Sequence, residues 1–501
     1  MQDNIRKKLL TSISIILLLF IVIWALLSVN GRSVDPNNPN QPITNKGAIR
    51  ILNKELDKIQ YKIFINEQET KLTENSIRNL DAGRYNIKIL ADKYNTWEAN
   101  ATVVEGQITE ISPYLFSKSS NLRLKTKTPI NIDSIFFSNY SDYSYFVVNG
   151  TNLGSEKGIW KMYLDETSTI FSTNNPTSVK ILNIDTLIEP YITTKDYKLI
   201  SSPDESKILF LTKENKYIFT TDSLASQPNK KIIDIKQTIG FNPQEIYWFK
   251  QGNSIIIKDD NLIAELDLST ELLNVVNYSP DSEPIFTVNG DTVYYFDKIL
   301  QKIILYKDNS KKELSLENQK FPRNIENLWV ASSNSNYLIL ESENNYYYLD
   351  IEKSFIDSIG NSLQIIEFSS DGKSLLYSKN NQIYSYYLSE INPLNKYQPK
   401  HSLLIDPYEP NNIIVKFNTK SSHILIHTKY EDGSSKLDVI EKNGQNRYEL
   451  YQGNNLVLDY FSMIISNKEL ILVLKTDTIK NDNTSNQNTQ ENHLYSRDLE
   501  V

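Results

Sequence analysis

Two histidines four residues apart, His423 and His427 in the run SHILIH, have the plainest spacing for metal chemistry in this chain. On a helix, such a pair shares one face and can hold a single zinc ion. Here the surrounding residues are β-forming, and in a strand the two rings point the same way but stand about 13 Å apart at ~3.3 Å per residue. One ion cannot bridge that gap, so both are expected to be ordinary strand histidines. Gly372-Lys373-Ser374 copies the end of a phosphate-binding loop. That loop needs a glycine five residues earlier, where this chain has Glu367, and a helix afterwards, where it has a β-forming run. The triplet reads as a hairpin turn.

Carboxylates are the next candidates. Asp204, Glu205 and Asp371 sit in turn sequences, and Asp259 and Asp260 are adjacent. Turn carboxylates can bind calcium, but no Asp-x-Asp-x-Asp loop with a later Glu accompanies them, so solvated turns are expected. No Gly-x-Ser-x-Gly elbow and no His-Glu-x-x-His helix is present. Cysteine is absent, which removes thiol nucleophiles, Cys-based zinc sites and disulfides. Lys118, Arg123, Lys125 and Lys127 form a small basic run that suits a charged edge or connecting strand, with an anionic cell-wall polymer as a second reading. The 31 tyrosines have two readings as well. Exposed on one face they would stack on sugar rings or peptides, whereas their alternation favours packing between sheets. No residue is assigned a catalytic, cofactor-binding or metal-ligating role, and no cofactor is expected. Scattered carboxylates gathered at a central channel remain the enzymatic alternative, of the glycan hydrolase or lyase type.

The elements that would position these residues follow a repeat. From residue 136 onward a short phrase recurs about eight times: a few apolar residues, a polar turn rich in Ser, Asp, Asn and Gly, a β-forming run, then a Tyr-rich strand. The clearest copies are ISSPDESKILFLTKENKYIF (200–219) and IEFSSDGKSLLYSKNNQIYSYYL (366–388). Looser copies begin near Phe136, Tyr247, Ile285, Trp329, Val415 and Tyr460. Most intervals, about 37 to 50 residues, match a four-stranded propeller blade, and the longer one between Phe136 and Ile200 is expected to hold a loop insertion or part of an extra blade. The expected fold is mainly β, with a seven- or eight-bladed propeller over 117–501. In that reading the Tyr-rich strand is the outer, partly exposed one. The stretch NDNTSNQNT (481–489) is expected to be a disordered insertion inside the last blade, because NHLYSRDLEV parallels NQIYSYYLSE. These phrases resemble the repeats of TolB-like and WD-like propellers, without the Trp-Asp dipeptide of true WD repeats.

Ahead of the repeat, residues 9–29 (LLTSISIILLLFIVIWALLSV) carry no charge. As a helix they would span roughly 31 Å, the thickness of a hydrocarbon core. Arg6, Lys7 and Lys8 precede the run, so the positive-inside bias keeps residues 1–8 in the cytoplasm. A single-pass signal-anchor is expected, with the bulk of the chain outside the cell; a cleaved signal peptide is the rival, disfavoured by the length of the run. Residues 30–46, dense in Asn and Pro, form a spacer. The net charge of −8 argues against a nucleic-acid partner, since phosphate neutralisation needs a concentrated basic surface.

Residues 47–116 change to short alternating strands, such as IQYKIFI (59–65) and RYNIKIL (84–90), expected to form a small β-sandwich of four or five strands. Leu80, Gly83 and Tyr85, then Tyr94 and Trp97, then Val104 and Gly106 carry a resemblance to the second half of a PEGA domain. The Pro-Glu-Gly-Ala phrase itself is missing. The resemblance implies a non-catalytic module of a bacterial or archaeal envelope protein. Taken together, the chain reads as a membrane-anchored, extracytoplasmic binding or scaffold protein whose partner is an envelope protein or a cell-wall polymer.

Overall fold

The computed structural model describes residues 32–34, 43–53, 56, 58–118, 122–124, 132–138, 143–149, 157–163, 178–184, 188–228, 232–280, 282–316, 321–330, 336–388, 401–407, 409, 412–418, 422–454, 456–464, 469–482 and 485–498, with Leu17, Leu18 and Val22. The expected anchor therefore lies outside the described residues apart from those last three, which are helical. Among the described residues no helix is long and apolar enough to cross a membrane. The chain divides into two compact units, 1–119 with 390–400, and 120–389 with 401–501.

In the smaller unit, a three-stranded sheet (Gly47–Ile51, Ser76–Leu80, Ile108–Ile111) and a four-stranded sheet (Lys62–Ile65, Gln68–Thr70, Gly83–Leu90, Trp97–Val103) enclose a core. Strand alternation places Ile49, Ile63, Ile87 and Ile89 inside beside Trp97 and Val103. The first strand runs parallel to Ile108–Ile111 and antiparallel to Ser76–Leu80. A side chain at Gly47 would meet the Val104 carbonyl oxygen at 2.6 Å, so only glycine lets these backbones approach. The seven strands of 47–116 exceed the four or five expected, because SIRNL and QET are too short and too polar to show a period. Arg32–Val34 pairs with Ile43–Asn45 as a short hairpin inside the stretch expected to be an extended spacer. The residues quoted for the PEGA resemblance fall at turns and in the core: Tyr85 donates to the Asp81 carbonyl at 2.9 Å, Tyr94 and Trp97 are buried, and Gly106 turns the last hairpin at φ +71°.

The larger unit contains eight four-stranded antiparallel sheets among the described residues. Their first strands are Ile132–Phe137, Lys198–Ser201, Glu245–Phe249, Ile285–Asn289, Ile325–Val330, Gln364–Phe368, Ile413–Phe417 and Leu456–Ile464, which define blades 1 to 8. Each start of the repeat read from sequence falls on or beside one of them. First strands of successive blades lie side by side, as in blades 3 and 4, 4 and 5, and 6 and 7, and the first strand of blade 1 touches that of blade 8. The sheets therefore form a closed ring around an axis.

Seven sheets are built from four consecutive strands. The eighth takes Leu456–Ile464, Glu469–Asp482 and Ser485–Asp498 from the end of the chain and its outermost strand, Leu122–Leu124, from far upstream. Leu122, Arg123 and Leu124 pair with Arg497, Ser496 and Tyr495. Backbone hydrogen bonds between strands remote in sequence thus fasten the ring.

Blade cores are apolar on both faces. Ile255, Ile256 and Ile257 in the second strand of blade 3 are all fully buried, one set against the preceding blade and the other against the next. Two expectations about strands are corrected. The Tyr-rich runs are third strands, not outer ones, and Tyr346, Tyr348 and Tyr386 are buried in one inter-blade core. The true outer strands are more exposed, and one of them, Ser310–Glu313 (SKKE), is exposed throughout and carries no apolar signal. The NDNTSNQNT stretch is not a disordered insertion: its described residues lie in the long hairpin of blade 8, paired as far as Asp482 and Ser485. Backbone pairing satisfies those peptide groups whatever the side chains. The long interval after Phe136 belongs to blade 1, whose fourth strand is Ser178–Leu182, followed by the short helix Glu189–Thr194.

Candidate functional site

The turns between first and second strands hold most of the residues that looked chemical in the sequence. In blade 2, Ser202 donates to Asp204 at 2.5 Å and accepts the Lys207 N–H at 3.0 Å, while Asp204 accepts the Ser206 N–H. Blade 6 repeats this: Ser369 donates to Asp371 at 2.6 Å and accepts the Ser374 N–H, and Asp371 accepts the Lys373 N–H. Gly372 therefore turns a hairpin, at φ +65°, as expected. The acidic side chains satisfy their own backbone, which is a folding role.

Glu205 occupies the position that Gly372 fills in blade 6, and takes the same left-handed conformation at φ +58°. A non-glycine there costs free energy. Its carboxylate accepts from Ser138 and Tyr145 of blade 1 and from Ser201, joining the two blades. Burial and the Glu205 charge push the Tyr145 hydroxyl above the usual tyrosine range, so it stays a donor. A second acid bridges in the same way. Glu265 accepts from Lys250 at 2.7 Å and from Tyr306 of blade 4 at 3.2 Å, and burial beside it pushes Tyr306 up to about 12. Asp438 is held within blade 7, accepting two donors from Arg447 at 2.6 and 3.0 Å.

The remaining sequence candidates do not converge. His423 and His427 lie on the strand His423–Lys429, both buried, as strand histidines. Burial lowers His423 to about 3, which keeps it neutral at any working pH. Asp260 accepts from Gln244 at the far turn of blade 3. Lys118 donates its N–H to Lys93 at 2.9 Å, Arg123 sits in the closing strand, and Lys125 and Lys127 lie outside the described residues. Among the described residues no three His, Cys, Asp or Glu stand together as a metal site.

What does converge is a cleft between blades 5 and 6. It has a volume of about 450 Å³ and is lined by Trp329, Tyr346, Ile365, Glu367 and Phe368. Trp329 comes from the first strand of blade 5 and Tyr346 from its third; their rings stack at 6.3 Å with 19° between planes. Tyr346 is fixed from behind by donating to Glu341 at 2.8 Å. A second hollow of about 370 Å³ adjoins it and shares Leu363 and Gln364. Its rim is amide and hydroxyl: Asn344, Ser362, Ser378, Asn380 and Asn381. The asparagines come from equivalent turns, between second and third strands, in the two blades. Asn344, Asn380 and Asn381 have φ of +66°, +51° and +57°, the left-handed values such tight hairpins require.

Glu367, noticed in the sequence only for failing to be the glycine of a phosphate loop, lines this cleft as a residue, while its carboxylate accepts from Phe417 of blade 7. Burial pushes its carboxyl up to about 7, against the opposing pull of the Phe417 N–H, which donates to it at 2.5 Å, and of the Lys416 charge. A raised pKa means the folded state holds a proton that the unfolded chain releases. This contribution is therefore largest below about pH 4.5 and is lost as pH rises to about 7, by up to about 3 kcal/mol. Glu367→Gln is expected to flatten that limb and to be more stable than the parent at pH 8, measured by urea unfolding at pH 5 and pH 8. Parallel pH profiles for the two proteins would refute the assignment.

Sheet order, ring closure and inter-blade cores define the larger unit as a β-propeller. No family model and no curated protein matches the chain. Among solved structures, the chain is similar to the WD40 domain of SCAP from fission yeast, at 9% identity, covering 75% of this chain and 97% of that one, with a TM-score of 0.39. Apo AztD from Citrobacter koseri is similar at 11% identity, covering 77% and 93%, with a TM-score of 0.38. An oligogalacturonate lyase from Vibrio parahaemolyticus is similar at 9% identity, covering 73% and 98%, with a TM-score of 0.36.

Proposed function

We propose that this chain is a single-pass, extracytoplasmic binding or scaffold protein of the bacterial cell envelope, with the propeller as its recognition surface for a protein or a cell-wall polymer. The uncharged run 9–29 behind Arg6, Lys7 and Lys8 supports the anchor and its orientation, and 30–46 supports a spacer. Residues 47–116 would be a PEGA-like module between spacer and propeller.

The observation that carries the reading is how the polar residues are used. The Ser and Asp residues of the sharp turns bond their own backbone, and Glu205 and Glu265 lock blades together, so they build a rigid platform. The aromatic cleft and its amide rim are left to meet a partner. The second reading, a glycan hydrolase or lyase, draws on Glu367, whose carboxyl near 7 suits a general acid. Common glycosidase chemistry uses two carboxyl groups flanking the bond, whereas Glu367 is the one acidic residue among the described residues lining this cleft, and its carboxylate is held by the Phe417 N–H.

Pull-down from envelope extracts with the chain from residue 30 onward discriminates the two. Retention of an unmodified protein or polymer is expected. Polymer shortening that disappears in Glu367→Gln would replace the scaffold reading with the enzymatic one. For topology, protease added to intact spheroplasts should digest the chain beyond residue 30; full protection would rule out the orientation.

A further inference from the structure

We propose that the two adjoining hollows between blades 5 and 6 form one site for an uncharged carbohydrate chain, with one sugar ring on Trp329 and the next among Asn344, Asn380 and Asn381. The inference rests on the propeller being a recognition surface and narrows that reading to a place and a ligand class.

A sugar ring has an apolar C–H face and a rim of hydroxyls that both donate and accept. Its site needs a flat apolar wall beside side chains able to do both. The inner hollow supplies the wall: Trp329 is half-buried and backed by Tyr346, whose own hydroxyl is occupied by Glu341, so the wall is held in place before any ligand arrives. The outer hollow supplies the rim. Each asparagine presents a carbonyl and an amide NH₂, and three of them with Ser362 and Ser378 match hydroxyls of either hydrogen-bonding sense. Leu363 and Gln364 belong to both hollows, so the two are continuous and suit a ligand longer than one ring.

Charge selects within carbohydrates. Of the charged residues at the two hollows, Lys379 donates to Asn361 at 3.0 Å and the Glu367 carboxylate accepts from the Phe417 N–H of blade 7. A polyanion would need several clustered cations, which this lining does not provide. An uncharged chain fits it better. Both hollows also fall in the range of about 300–1,000 Å³ usual for small-ligand sites.

The turn geometry provides a clean test. Because Asn380 and Asn381 have left-handed φ, Asn380→Gly and Asn381→Gly remove the amides while keeping the conformation that glycine adopts freely. The full-length protein in detergent is titrated calorimetrically with cellotetraose, with the tetramer of N-acetylglucosamine, with tetragalacturonate, and with a mixture of unstructured peptides. At least one neutral tetramer should bind, with little dependence on salt. The paired glycine variant should weaken it about tenfold with unchanged Tm, and Trp329→Ala by about tenfold or more. Failure of both neutral tetramers overturns the proposal, as does binding that both variants leave intact, or a preference for the peptides or for tetragalacturonate. If the tetramers fail while the pull-down still retains a partner, the carbohydrate inference falls and the scaffold reading stands. Loss of all retention removes both.

Discussion

Proline placed at Arg123 and Leu124 together is expected to open the ring. The strand Leu122–Leu124 is the outermost strand of blade 8, and its pairing with Tyr495–Arg497 joins the first and last parts of the propeller. Neighbouring residues of a strand point their N–H groups to opposite sides, so a double substitution removes a ladder donor whichever residue supplies it. The immediate loss is a few backbone hydrogen bonds. The larger loss is closure, because Ser485–Asp498 becomes an open edge and blade 8 can separate from blade 1. The expected result is a fall in Tm of about 5 °C, the shift that ~3–5 kcal/mol gives a domain of this size. A synthetic peptide carrying residues 117–127 should recover part of it by refilling the edge. A Tm within about 2 °C of the parent would mean that the inter-blade cores alone hold the ring.

The second large effect belongs to the small β unit. Trp97 is 3% exposed, at the start of the strand Trp97–Val103, and packs among Ile49, Ile63, Ile87 and Ile89. Trp97→Ala should cost about 3–5 kcal/mol, the transfer and cavity terms of an emptied aromatic site. A unit of about 70 residues has little more than that in reserve, so the substitution should unfold it. The propeller has cores of its own between its blades and should survive. Limited proteolysis of the full chain is expected to degrade residues 46–118 while leaving a protected fragment that begins near residue 120. Equal protection of both units in the variant would show that the core tolerates the cavity.

Repetition made the propeller legible before any coordinates. Each blade spends the same residue types at the same places, a polar turn after the first strand and an apolar second strand, so the period survives even where single copies are loose. The fourth strands were invisible because they lie at the rim, where SKKE is as acceptable as HSLLI. The Tyr-rich third strands look outermost in the sequence for the same reason: the apolar pattern ends with them. In the small unit, IQYKIFI and RYNIKIL announced themselves by alternation, whereas the three-residue strand Gln68–Thr70 is too short to show a period.

The candidate site was less legible, for a different physical reason. Trp329 marks a repeat start in the sequence, and Glu367 stands where a phosphate loop would need glycine. Their cleft exists only because blade 5 meets blade 6, and contacts between sheets leave no local period. Asn380 and Asn381 were readable as a tight turn, but the pairing of that turn with Asn344 of the neighbouring blade was not. His423 and His427 lie on one strand, as their β-forming neighbours suggested.

The strand that fastens the ring also sets a timetable. Seven of the eight sheets use consecutive strands, so each can form as soon as its own stretch of chain emerges. Leu122–Leu124 is made before any of them, yet its partner Ser485–Asp498 is the last strand to be made among the described residues. Through the whole of synthesis the nascent propeller carries an open edge at each end. Two copies emerging side by side could exchange those edges, the first strand of one completing the last sheet of the other. The same hydrogen bonds that make the finished ring rigid are thus the point at which its assembly is most exposed to a neighbour.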